Sequence, residues 1–145
     1  MPSAFRVAFV LLLTSISTGC FAPTKYLPGA GNGYSETQLQ PDVVEVRFGG
    51  NSRTSMERAS DFMMLRCAEL ALEEGYTHFA ILGEDSDVKL SMHTSINTVG
   101  AKSTVSTSLS GKPRAMARIR LLKGPSGDAF DAAYLRDSIR AKYGL

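Results

Sequence analysis

The sequence predicts an α+β domain, an antiparallel or mixed sheet of about four strands with two helices packed on it, in the order β-α-β-β-(β)-β-α. Three observations carry that expectation. Residues 43–48 alternate, with Val44, Val46 and Phe48 on one face and Glu45 and Arg47 on the other. Ala59, Met63, Cys67, Leu70 and Ala71 then recur at helical spacing, with Phe62, Leu65, Ala68 and Leu72 widening the stripe. Residues 114–123 return to alternation, Ala115, Ala117, Ile119 and Leu121 inward and Arg114, Arg118 and Arg120 outward, before a second helical pattern closes the chain.

Ahead of the domain, residues 1–19 read as a signal peptide. Arg6 and the initiator amine give a weakly positive start, residues 7–16 are apolar, and small residues follow. A run of about ten apolar residues is too short to cross a hydrocarbon core of about 30 Å as a helix, so it reads as a cleaved leader. The leader ends in Gly19-Cys20, the pattern of bacterial lipoproteins, in which cleavage falls between these two residues and the cysteine carries the lipid. Ser17 stands where that class usually has Leu, three residues before the cysteine. The rival reading is ordinary cleavage after Ala22 and a released protein. Lipidation at Cys20 implies membrane attachment through acyl chains such as palmitate. Phe21, in place of the Asp that retains such proteins in the inner membrane, points to the outer membrane, with the domain in the periplasm.

Residues 20–42 are expected to form a flexible tether. Pro23, Pro28, Pro41, Gly29, Gly31 and Gly33 interrupt them, apolar periodicity is absent, and a coil of this length reaches about 25 Å. Tyr26, Tyr34 and Leu39 are the residues able to dock on the domain. The glycines lack the strand, helix and lysine of a phosphate loop.

The single domain then occupies residues 43–145. Gly49, Gly50 and Asn51 end the first strand, and Thr54 with Glu57 forms a capping box that starts the main helix. That helix runs to about Glu74 and stops at Gly75. Glu57, Arg58, Asp61, Arg66, Glu69 and Glu73 read as its solvated face. Cys67, within the apolar stripe, reads as a buried small hydrophobe.

Residues 76–82 suit a central strand. Residues 83–87 read as an acidic turn, without the ligand set of a calcium loop, leading into residues 88–93, where Val88, Leu90 and Met92 alternate with Lys89, Ser91 and His93. Residues 94–111 are dominated by Ser and Thr and are expected to be a two-stranded ribbon or disordered, and the best candidate for contact with a partner. The strand at 114–123 reads as an edge strand. Its row Arg114, Arg118 and Arg120 is a second candidate contact, for lipid phosphate or an acidic glycan, against the plainer reading of charges that guard an edge. Asp128 is expected to cap the last helix, with Phe130, Tyr134, Leu135, Ile139 and Tyr143 packing.

Composition narrows the function. The 145 residues carry a net charge of +2, and loss of Arg6 with the leader leaves the chain nearly neutral, so nothing calls for nucleic acid. With Cys20 lipidated, Cys67 has no partner for an internal disulfide. His78 and His93 fall on different expected strands and form no metal-ligand spacing, and no nucleophile elbow occurs. No cofactor, metal or catalytic set is therefore expected.

Taken together, residues 33–39 (Gly-Tyr-Ser-Glu-Thr-Gln-Leu), Val46-Arg47-Phe48 with Gly50-Asn51, Ala59 with Phe62, Cys67-Ala68-Glu69-Leu70, Gly75-Tyr76 and the tail from Asp131 to Leu145 resemble a family of small proteobacterial envelope lipoproteins. The resemblance covers nearly all of the chain after the leader. It implies an envelope lipoprotein and supplies no catalytic residues. A looser similarity, an amphipathic helix running through a Gly-aromatic step into a strand, is to envelope-stress sensor lipoproteins. The expectation is a lipid-anchored, non-enzymatic binding or structural module that meets an envelope protein or glycan through residues 94–111 and the arginine strand. A stress sensor is the alternative, and an enzyme acting on cell wall or lipid is a third reading that needs His78, His93 and acidic residues gathered in one pocket.

Overall fold

The computed structural model describes residues 22–99 and 102–145, of which 85–99 and 102–110 are described through their backbone alone. Along the chain lie β1 (Gly33–Gln40), β2 (Val43–Gly49), α1 (Met56–Glu73), β3 (His78–Val99), β4 (Lys102–Leu122), β5 (Phe130–Asp131) and α2 (Ala132–Tyr143). The strands form one antiparallel sheet in the order β1-β2-β4-β3-β5. The fold is α+β, as the sequence predicts.

β2 and β3 run parallel with β4 inserted between them, and α1 makes the crossover. Register puts Val44 opposite Ile119, Val46 opposite Ala117 and Phe48 opposite Ala115, so one face of the central strands is apolar. The stripe of α1 closes on that face: Ala59, Phe62, Met63, Cys67, Ala68 and Ala71 are all fully buried. Phe48 and Phe62 meet edge to face at 5.2 Å, and each fully buried ring stabilises the fold by about 2 kcal/mol. Burial pushes the Cys67 thiol well above its ordinary value, and its Sγ lies 3.7 Å from Met63 Sδ. It is inert packing. α2 lies against α1, where Tyr143 OH donates to Asp61 Oδ2 at 2.7 Å and Lys142 Nζ to Asp61 Oδ2 and Glu57 Oε1, each at 2.6 Å.

The main correction concerns residues 22–42, which do not form a flexible tether. Thr24 N donates to Thr54 Oγ1 at 2.9 Å, Asn51 N to Thr24 Oγ1 at 2.8 Å, and Asn51 Nδ2 to the Ala22 carbonyl at 2.9 Å. Tyr26 packs on Phe62 and Tyr34, and its hydroxyl donates to Glu69 Oε2 at 2.6 Å. Residues 33–40 then add β1 to the edge of β2. Tyr26 and Tyr34 dock, whereas Leu39 stays exposed. This segment also covers part of the helix face expected to be solvated. Arg66 is buried beneath Tyr34, with its guanidinium bonded to Glu36 of β1 at 2.9 Å and to Glu73 at 3.0 Å.

Four local expectations also shift. The N-cap of α1 is Ser55, whose hydroxyl accepts from Arg58 N at 3.1 Å, because Thr54 is committed to Asn51 and Thr24. At the other end Gly75 takes φ 75°, and Tyr76 N and Gly75 N bond back to the Ala71 and Leu72 carbonyls, the geometry that favours glycine there. Residues 83–87 do not turn: β3 continues through them, with an irregularity between Ile81 and Gly83. β4 is a central strand, not an edge. The last helix is capped by Asp131, whose Oδ1 accepts from Tyr134 N at 2.9 Å, because Phe130 and Asp131 are held in β5 against Phe79 and His78. Tyr134 consequently faces solvent, and Phe130 stacks on Phe79 at 5.5 Å while staying partly exposed.

Candidate functional site: the helix-free face of the sheet

Both helices lie on one side, so alternation turns every second residue of β2 and β4 toward the other. Register sets Val43 beside Arg120, Glu45 beside Arg118, Arg47 beside Met116 and Gly49 beside Arg114. Arg114, Arg118 and Arg120, the row picked out in the sequence, are thus together and exposed, in the middle of the sheet. Arg47 joins them. It was missed as a site residue, although the alternation that placed it opposite Phe48 already put it on this face.

The charges are loosely balanced. Glu45 is nearly buried between Arg47, whose Nη2 it receives, and Arg118 at 3.8 Å, while Arg120 Nε lies 3.6 Å from Asp42 at the β1–β2 turn. The exposed Arg120–Asp42 pair contributes about 0–1 kcal/mol, so an incoming anion exchanges it at little cost. Arg114 has no ion-pair partner among the described side chains, and Asp87 holds the register position across from it. Arg47 Nε rests 3.4 Å from Met116 Sδ.

At the β2–β4 end of this face a cleft of about 410 Å³ opens between Arg47, Met116 and Arg114 on one side and Gly31, Gly33 and Ser35 on the other. Its shape depends on absent side chains. A Cβ on Gly49 would strike the Gly31 carbonyl, and Gly33 holds φ 121° while its own Cβ would strike the Leu27 carbonyl. The cleft offers two guanidinium groups, a serine and backbone, which suits a carboxylate, sulfate or phosphate group, and the described side chains that line it include no nucleophile with a base.

The ribbon expected at residues 94–111 is present in the backbone as the paired ends of β3 and β4, from Thr94 opposite Thr107 to Val99 opposite Lys102. His78 begins β3, where Thr77 Oγ1 lies 2.8 Å from its Nδ1, and His93 sits in the ribbon. Fifteen residues of strand separate them by about 50 Å, so no single pocket gathers both. Among the described residues no group of His, Cys, Asp and Glu is placed to hold a metal ion, and no helix is long and apolar enough to cross a membrane. Gly19 and Cys20, the expected cleavage and lipidation sites, lie outside the described residues. No family model, characterised protein or solved structure matches the chain.

Proposed function

We propose that this protein is a lipid-anchored, non-enzymatic module of the cell envelope, held at the outer membrane through Cys20 and facing the periplasm, which binds an acidic envelope protein or glycan on the helix-free face of its sheet. The observation that carries the reading is the convergence of Arg47, Arg114, Arg118 and Arg120 on one exposed face, with a cleft between two of them. Arginine suits interface centres because its planar fork pairs with carboxylates and phosphates bidentately. The leader ending in Gly19-Cys20 and the resemblance to envelope lipoproteins support the location.

Two measurements test it. The intact mass of protein purified from membranes is expected to equal the chain from Cys20 plus acyl groups, and an unmodified chain starting at Pro23 would remove the anchor. A photo-crosslinking residue at Met116, used in cells, is expected to give an adduct with one acidic partner that Arg114→Glu with Arg118→Glu abolishes. An adduct indifferent to that charge reversal would move the contact elsewhere.

A further inference from the structure

β2 stops pairing with β4 at Arg114, and from Val88 to Val99 β3 has β4 as its sole strand neighbour among the described residues. The ribbon so formed extends about 40 Å beyond the sheet at the usual rise per residue. Register sorts its residues by chemistry. Val88, Leu90, Met92 and Ile96 share one face with Val105, Leu109 and the uncharged Thr94, Thr98, Ser103 and Thr107, whereas Ser91, His93, Ser95, Asn97 and Val99 share the other with Thr104, Ser106, Ser108 and Ser110. Lys89, Lys102 and Lys112 all fall on the second face, so the first carries no charge.

The apolar face continues, through Pro113 and Ala115 of β4, the side of the sheet on which α1 packs. The helix does not extend over it. Gly50 N donates to the Pro113 carbonyl at 2.9 Å, and a Cβ on Gly50 would crowd both Thr54 and Pro113. α1 therefore starts beside the root of the ribbon, and from there it runs back along the sheet toward the level of His78. A charge-free strip, apolar at Val88, Leu90, Met92 and Ile96, with no helix over it among the described residues, has the character of an interaction surface.

What covers it is indicated by where the chain enters the domain. The Ala22 carbonyl is held by Asn51, in the same corner as Gly50, Thr54 and Pro113. Cys20 is two residues upstream, a reach of at most about 7 Å. We infer that the charge-free face of the ribbon lies on the lipid bilayer beside the acyl anchor. This rests on the reading of Cys20 as lipidated. Acyl chains at that corner bring the root of the ribbon to the membrane surface, and an apolar face next to a lipid group makes the two-part attachment that stable peripheral binding needs. A two-stranded ribbon has two open edges whose amides and carbonyls have no partners in hydrocarbon, so it lies in the interfacial layer and does not span. The serine face and the arginine face, continuous with each other, are left toward the periplasm.

The test places an environment-sensitive fluorophore on single cysteines in the full lipidated chain, reconstituted in phosphatidylethanolamine–phosphatidylglycerol vesicles. Leu90→Cys and Ile96→Cys report the apolar face, Ser91→Cys and Ser95→Cys the polar one, and buried Cys67 stays unlabelled. Labels at positions 90 and 96 are expected to emit blue-shifted and to be quenched by lipid-borne nitroxides several-fold more than labels at 91 and 95. Equal quenching on both faces overturns the inference. So does a blue shift at 90 and 96 that lipid nitroxides leave untouched, which would mean a second copy of the chain or another protein covers the face. The intact mass of the same samples separates the two ideas. If it lacks acyl groups the anchor reading falls, and face-selective quenching of the unacylated protein added to the vesicles still upholds the ribbon, while its absence removes both.

Discussion

Phe79 of β3 and Ala115, Ala117, Ile119 and Leu121 of β4 are buried under α1, with β2 and β5 as further neighbours in the sheet. From Val88 and Lys112 outward the same two strands keep each other and, among the described residues, have no other strand beside them. Apart from the irregularity between Ile81 and Gly83, the period of two persists across both regions, and Leu109, Pro113, Ala115, Ala117, Ile119 and Leu121 of β4 all fall on one side. Alternation therefore specifies a strand with a wet and a dry side in either region, while the covering helix alone decides whether the dry side becomes core or contact surface.

Breaking the covered region should have the largest effect. Phe62 is fully buried and its ring meets Phe48, Tyr26 and Tyr143. Phe62→Ala is expected to destabilise the fold by about 3–5 kcal/mol in urea unfolding. Arg66→Met tests the cover supplied by β1: it leaves Glu36, Glu69 and Glu73 without their shared cation and should cost about 2 kcal/mol, less than a fully buried pair because Glu36 and Glu73 keep some water. Protease sensitivity should rise first in residues 22–40.

Tyr26→Phe sharpens the same contrast through pH. Burial, and then the Glu69 carboxylate that its hydroxyl bonds, push the Tyr26 phenol well above its ordinary value. The folded value exceeds the unfolded one of about 10, so the stabilisation is complete below pH 10 and declines as pH rises beyond it. Tyr26→Phe is expected to cost about 1 kcal/mol at neutral pH and to flatten the loss of stability in alkali. The smallest effect belongs to the ribbon: Leu90→Ser should change stability by less than about 0.5 kcal/mol, as for an uncovered surface site, and a loss comparable to that of Phe62→Ala would mean the ribbon is packed.

The parts legible in the sequence were those where one face of an element is buried and the other wet. β2, α1 and the inner half of β4 announce themselves that way, and so do Arg114, Arg118 and Arg120. β1 does not. Beyond Glu36 its residues are exposed on both faces, and its attachment comes from ladder bonds, from the single ring of Tyr34 and from Glu36 reaching Arg66, none of which leaves a hydrophobic period. The acidic residues 84–87 look like a turn by composition, yet Asp87 holds the register position opposite Arg114, so opposite charges in cross-strand positions were a signal that a reading of single segments passes over. The cleft was hidden for a similar reason. Gly31, Gly33, Ser35, Arg47 and Arg114 come from three separated stretches, and their proximity is a product of strand order.

The latch of Thr24, Asn51 and Thr54 also determines how the domain encounters other molecules. A body on a leash of twenty residues would sweep a hemisphere about 25 Å in radius and meet partners at any height within it. If Cys20 carries the acyl group proposed for it, the hold of Asn51 on the Ala22 carbonyl, two residues away, removes that sweep. Collisions would then be two-dimensional, confined to a thin layer at the bilayer surface, and a partner would have to come to that height and present its acidic groups at a nearly fixed angle.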